Sequence, residues 1–109
     1  MIEKFNINDM INGWFIGNFE PSLFKTEAVE VAVKSYKPGD FEEEHYHKIA
    51  TEFTVIIEGI VELNDIQYGV NDIIKIHPGE SAKFKSITKS LTVVVKIPGV
   101  TNDKFLTRK

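Results

Sequence analysis

Between Ala28 and Ile97 the chain is a succession of short β-branched and aromatic runs separated by turn residues, with no helical period between them. Ala28–Tyr36 is the first run, and Lys37-Pro38-Gly39-Asp40 ends it. Further strands are expected over 44–48, 52–58, 60–63, 66–68, 73–77, 81–86 and 91–97. Gly59, Asn64-Asp65, Gly69 to Asp72 and Pro78-Gly79-Glu80 are the turns between them, and Pro98-Gly99 stops the last. Asn64-Asp65 has the composition of a two-residue hairpin loop. Many short strands with closely spaced turn signals predict a β-sandwich or β-barrel. The missing helical segments argue against a parallel α/β sheet.

The chain has 109 residues, enough for one domain. Hydrophobic residues at 42% supply a packed core and argue against disorder. There is no cysteine, so disulfides and thiolate chemistry are excluded, and any transition metal must be held by imidazole and carboxylate. A net charge of −3 argues against nucleic acid as a partner, and Lys104, Arg108 and Lys109 are too few to form a basic face. No apolar run is long enough to span a bilayer, and the first residues lack a signal pattern. A cytoplasmic protein is expected.

Residues 1–27 read as an N-terminal arm on a barrel of residues 28–100, with 101–109 as a C-terminal tail. Trp14-Phe15-Ile16-Gly17-Asn18-Phe19 is the most apolar part of the arm. It is expected to be an edge strand or an arm that packs its rings on the barrel, with a lid or a homodimer contact as the other readings.

The chemistry is concentrated between Gly39 and Gly59. His45 and His47 stand two apart, so on a strand they project to the same side, about 6.6 Å apart at Cα. Two imidazoles at that span can converge on one ion. Glu52 follows beyond a short turn at Ile49-Ala50-Thr51, which would return the chain and set the carboxylate across from the histidines. Two imidazoles and a carboxylate would leave a divalent ion with open positions for water, oxygen or a chelating substrate. The acidic run Asp40, Glu42, Glu43, Glu44 reads as a solvated loop whose charge attracts cations and raises the histidine pKa values. Alternation from Glu52 places Thr54 and Ile56 on the cavity side, as ligand contacts or ordinary core.

The pattern of glycine, five residues, His-x-His, four residues, glutamate, six residues, glycine resembles the first motif of the cupin superfamily at every defining position. The resemblance implies a small antiparallel jelly-roll barrel with His45, His47 and Glu52 as ligands of a divalent ion (Fe, Mn, Zn, Ni or Cu). The second cupin motif is degraded. Aligned on Gly79, its first glycine becomes Asn71, its proline becomes His77 and its histidine ligand becomes Ala82. The implied site therefore has two histidines and one glutamate. Thr54, Ile56, His77, Ala82 and Phe84 are the expected pocket residues, with His77 placed at the rim.

Three functions are compatible with this reading. The first is a metal-dependent enzyme, of isomerase or dioxygenase type, acting on a sugar, a phosphosugar or a small organic acid. The second is a non-catalytic module that binds such a metabolite without metal. The third is a metal-free sugar epimerase, which needs a histidine base opposite a tyrosine acid drawn from Tyr36, Tyr46 and Tyr68. A homodimer is expected in each case.

Overall fold

The computed structural model describes residues 1–107; Arg108 and Lys109, the end of the expected tail, lie outside the described residues. Ten strands follow a single 3₁₀ turn at Ile7–Asp9. In chain order they are β1 (Trp14–Ile16), β2 (Glu30–Tyr36), β3 (Phe41–His47), β4 (Thr51–Glu58), β5 (Val61–Leu63), β6 (Ile66–Tyr68), β7 (Ile73–Ile76), β8 (Ala82–Ser86), β9 (Ser90–Ile97) and β10 (Lys104–Leu106). They form two five-stranded antiparallel sheets, ordered β1-β2-β9-β4-β7 and β10-β3-β8-β5-β6. Among the described residues no helix is long and apolar enough to cross a membrane.

The expected strands all form, and the flanks join the sheets as well. β1 extends the first sheet alongside β2. β10 extends the second alongside β3, with Leu106 opposite His45 and Lys104 opposite His47. The segment expected as a tail is thus partly a strand of the barrel, and part of the arm is an edge strand. The acidic run is also strand rather than loop from Phe41 onward.

The turns follow from local chemistry. Asn64 and Asp65 both have positive φ, 51° and 68°, as a two-residue hairpin loop of the primed type requires. Gly59 has φ 85°, and a Cβ there would lie 2.2 Å from the Lys89 carbonyl oxygen, so only glycine fits.

Side-chain alternation then sorts the two faces. Ile56, Val61, Ile74 and Phe84 form the buried core, with Tyr36, Leu63, Tyr68 and Ile76 packed against it. Tyr36 and Phe84 come from opposite sheets, and their ring centroids are 4.6 Å apart. This plug fills part of the space between the sheets, and the remainder is an open cavity of about 1190 Å³.

Candidate functional site

β3 and β4 belong to different sheets, so His45 and His47 face Glu52 across the cavity rather than along a shared ladder. Ile49-Ala50 is the corner between them. Asp103, just before β10, holds that corner: Oδ1 accepts from the amides of Lys48 (3.0 Å) and Ile49 (3.2 Å), and Oδ2 from those of Ile49 (3.2 Å) and Ala50 (2.9 Å). Burial pushes the Asp103 carboxyl up, but the three amides outweigh it and the net shift is downward.

His45 and His47 lie edge to face, with ring centroids 5.2 Å apart. The Nδ1 of His45 is 2.9 Å from the Glu43 carbonyl oxygen. A carbonyl only accepts, so Nδ1 carries the proton and Nε2 keeps its lone pair. Orienting an imidazole by a carbonyl in this way is the usual support of a metal-ligating histidine. His47 is only 6% exposed, and its Nε2 is buried without a hydrogen-bond partner. Burial, then the charges of Lys96 and His45, bring its pKa down to about 4. The sequence led to the opposite expectation, because the acidic run was counted and neither the burial of the ring nor the lysines were. Glu52 is shifted upward by burial, against the attraction of Lys96. Thr54 Oγ1 donates to Glu52 Oε2 at 3.4 Å.

A β-bulge shapes the site further. Glu42 pairs with Phe84 and His45 with Ala82, so three steps on β3 match two on β8. Without the bulge, Glu42 and His45 would point to opposite faces. With it, both line the cavity. Glu42 accepts from Lys34 Nζ at 3.1 Å. Burial raises its pKa, but the charge and hydrogen bond of Lys34 outweigh this and leave it lowered. Tyr36 also lines the cavity, its hydroxyl pushed upward by burial and by the Glu42 and Glu52 charges.

The other expected pocket residues divide. Thr54, Ala82 and Phe84 line the cavity. Ile56 is fully buried in the core beneath it. His77 is exposed in the β7–β8 turn, outside the cavity lining, with Nδ1 2.7 Å from Oε1 of Glu80, which does line it. Tyr46 lies off the cavity, stacked on Phe105 at 5.6 Å, and Tyr68 packs on the core. Trp14 and Phe19 line the cavity mouth, their rings 6.4 Å apart, so this part of the arm is a wall of the site.

The donor chemistry suits a divalent ion: an unpartnered buried imidazole nitrogen, a second imidazole with its lone pair free, and a desolvated carboxyl. The spacing is looser. Among the described residues no three His, Asp or Glu side chains stand together as a ligating cluster. The expected triad therefore shares one cavity without converging on one point.

No protein-family model matches the sequence, and no curated protein matches it either. Solved structures do. A protein of Klebsiella pneumoniae with a double-stranded β-helix domain superposes with TM-score 0.71 at 21% identity, over 97% of this chain and 92% of its own. The fold is the cupin double-stranded β-helix. The DMSP lyase DddQ of Ruegeria pomeroyi superposes with TM-score 0.72 at 18% identity over 86% of this chain. Oxalate decarboxylase of Bacillus subtilis gives TM-score 0.65 at 20% identity over 73% of this chain. This chain spans 49% of the lyase's length and 24% of the decarboxylase's. At these identities the likeness is one of fold.

Proposed function

We propose that this cupin-fold chain holds a divalent transition ion with His45, His47 and Glu52, and acts on a small polar metabolite in the adjoining cavity. The observation that carries the reading is the His47 Nε2 atom, buried without a partner on a residue that lines the cavity. A buried polar atom without a partner is costly, and a ligand that accepts its lone pair removes the cost. Two of the fold relatives bear on the same point: the Bacillus oxalate decarboxylase has Mn(II) centres, and the Ruegeria protein is a lyase. When bound, the ion would act as a Lewis acid towards a chelating carbonyl or carboxylate. The chain's own residues supply the rest. His45 is held in one tautomer by the Glu43 carbonyl, and Thr54 steadies Glu52. Trp14 and Phe19 wall off the mouth, while Tyr36 and the Lys34–Glu42 pair supply hydrogen-bonding groups on the cavity wall.

The test is metal analysis of the purified protein, alone and after incubation with Mn, Fe, Zn, Ni or Cu, followed by His47→Ala. One ion per chain in the wild type, lost in His47→Ala, is the expected result. If no ion binds stoichiometrically under any of these conditions, the reading fails. A metal-free binding module is the second reading, favoured by the absence of a converged ligand cluster among the described residues. Thermal stabilisation by a metabolite in the presence of chelator, with no metal uptake, supports it.

We further propose a homodimer, and place its contact away from Trp14 and Phe19, which line the cavity. The outer face of the first sheet carries the cross-strand row Val33, Val93, Val55 and Ile73, flanked by Val31, Val95 and Phe53. Four strands about 4.8 Å apart, and three residues along each rising about 3.3 Å, give roughly 200 Å² of apolar face. Each partner of a stable complex buries about 800 Å². The exposed side chains of Met1, Ile2 and Phe5 on the arm are further apolar surface that a second copy would cover.

A further inference from the structure

Lys96 is the cavity group whose own chemistry is least satisfied. It lies on β9, where alternation with Val94 and Thr92 turns it inward, and it lines the cavity. Its cross-strand neighbours are Glu30 on β2 and Glu52 on β4. Neither carboxylate closes on it. The ion pairs among the described residues, drawn at 4.0 Å, join Lys25 to Glu20, Lys34 to Glu42, His77 to Glu80 and Lys83 to Asp65, and leave Lys96 out. Its ammonium instead sits 4.9 Å from the centre of the Trp14 ring. Lys34 Nζ lies 5.4 Å from the same ring, but its charge is matched by Glu42 at 3.1 Å. The cavity thus holds one matched and one unmatched ammonium on the same indole.

An ammonium in a partly desolvated site is stabilised by a cation–π contact, yet it retains three donors that an aromatic face does not satisfy. An anionic oxygen supplied by a ligand satisfies them. The imidazoles of His45 and His47 line the same cavity. We propose that Lys96, braced by Trp14, receives the carboxylate of a small organic acid, which selects that class over sugars for this site. This rests on the metabolite-site reading above and narrows it. The arm contributes directly, since Trp14 belongs to β1.

The test uses the full chain in chelator, so that no ion takes part. Malonate, lactate and benzoate are titrated by calorimetry beside erythritol and glucose as neutral probes. At least one carboxylate is expected to bind, the neutral probes not. Lys96→Met should weaken carboxylate binding by roughly tenfold or more, the scale of a charged hydrogen bond. Lys85→Met, on the outward side of β8, should leave it unchanged. Should Lys96→Met not fold, Lys96→Arg should retain binding and Trp14→Leu weaken it. Equal binding of neutral probes, no carboxylate binding, or carboxylate binding indifferent to Lys96 overturns the proposal. Ion uptake by Lys96→Met is measured in parallel. It should match or exceed wild type, because a positive charge near Glu52 and His47 has been removed. Failure of the wild type to take up an ion defeats the metal reading and leaves the carboxylate result standing.

Discussion

Replacing Asp103 by alanine removes the carboxylate that accepts from the amides of Lys48, Ile49 and Ala50. The residue is 4% exposed, and the Ala50 amide it caps is buried. Hydrogen bonds to a charged group contribute about 1.5–3 kcal/mol each, and a buried donor left alone costs about 1–3 kcal/mol. The Ala50 amide should pay that penalty nearly in full, whereas water can reach the half-exposed Lys48 and Ile49 amides. The sum is about 3 kcal/mol. For a chain of this size 1 kcal/mol corresponds to about 4 °C, so Tm should fall by about 12 °C. Asp103→Asn keeps one accepting oxygen and should lose about half as much. Urea and thermal unfolding measure the loss, and hydrogen exchange at Ile49 and Ala50 localises it. A fall in Tm below about 3 °C for Asp103→Ala would refute the assignment of Asp103 as the clasp of this corner. Because the corner sets β3 against β4, ion uptake should weaken together with stability.

Further outcomes follow from the same geometry. His47 takes a proton in the folded state only near pH 4, but in the unfolded chain near 6.5. Stability is therefore highest above pH 6.5 and falls as pH drops from 6.5 towards 4, by about 3 kcal/mol at 1.36 kcal/mol per unit; His47→Gln should flatten that part of the urea-midpoint profile, and an unchanged slope would count against the burial of an uncharged ring. Ala82 is buried, lines the cavity and pairs with His45 across β3–β8. Ala82→His should add a ligand and tighten ion binding by roughly tenfold or more, read by competition with a chelator of known affinity. Val93→Glu puts a charge in the middle of the apolar outer face. It should convert a homodimer to monomer in light scattering, and a wild type already monomeric at micromolar concentration would remove the assembly proposal.

Much of the barrel was legible because alternation and turn chemistry are local. The run over 91–97 is mostly β-branched, that over 28–36 places valine at every second position from 29 to 33, and Asn64-Asp65 could do little but turn. β1 was legible only as an edge strand or arm, and β10 was not legible, since no hairpin turn frames it as Asn64-Asp65 frames β5 and β6, and it is a strand because β3 offers a free edge. At the site, His45, His47 and Glu52 announced themselves by type and spacing. Glu42 did not, because its separation from His45 is odd and an unbulged strand sends it outward. Lys96 could have been found: its parity with Ser90, Thr92 and Val94 places the one charge on an inward side that is otherwise uncharged. Asp103 gave no local sign, for its partners are more than fifty residues away in sequence.

The bulge in β3 has a consequence for how variants of this chain should be compared. It acts as a parity switch between the histidine pair and everything before it. Deleting either Glu43 or Glu44 would leave Glu42 and His45 two apart, which a regular strand sets on one face, so Glu42 would keep its place beside Lys34 and only the bulge would vanish. Straightening the bulge at the present length is what would turn Glu42 to solvent, since three steps then separate it from His45. Two chains with the same histidines and glutamate, one bulged and one shorter by a residue just upstream, would present the same charges to the same guest.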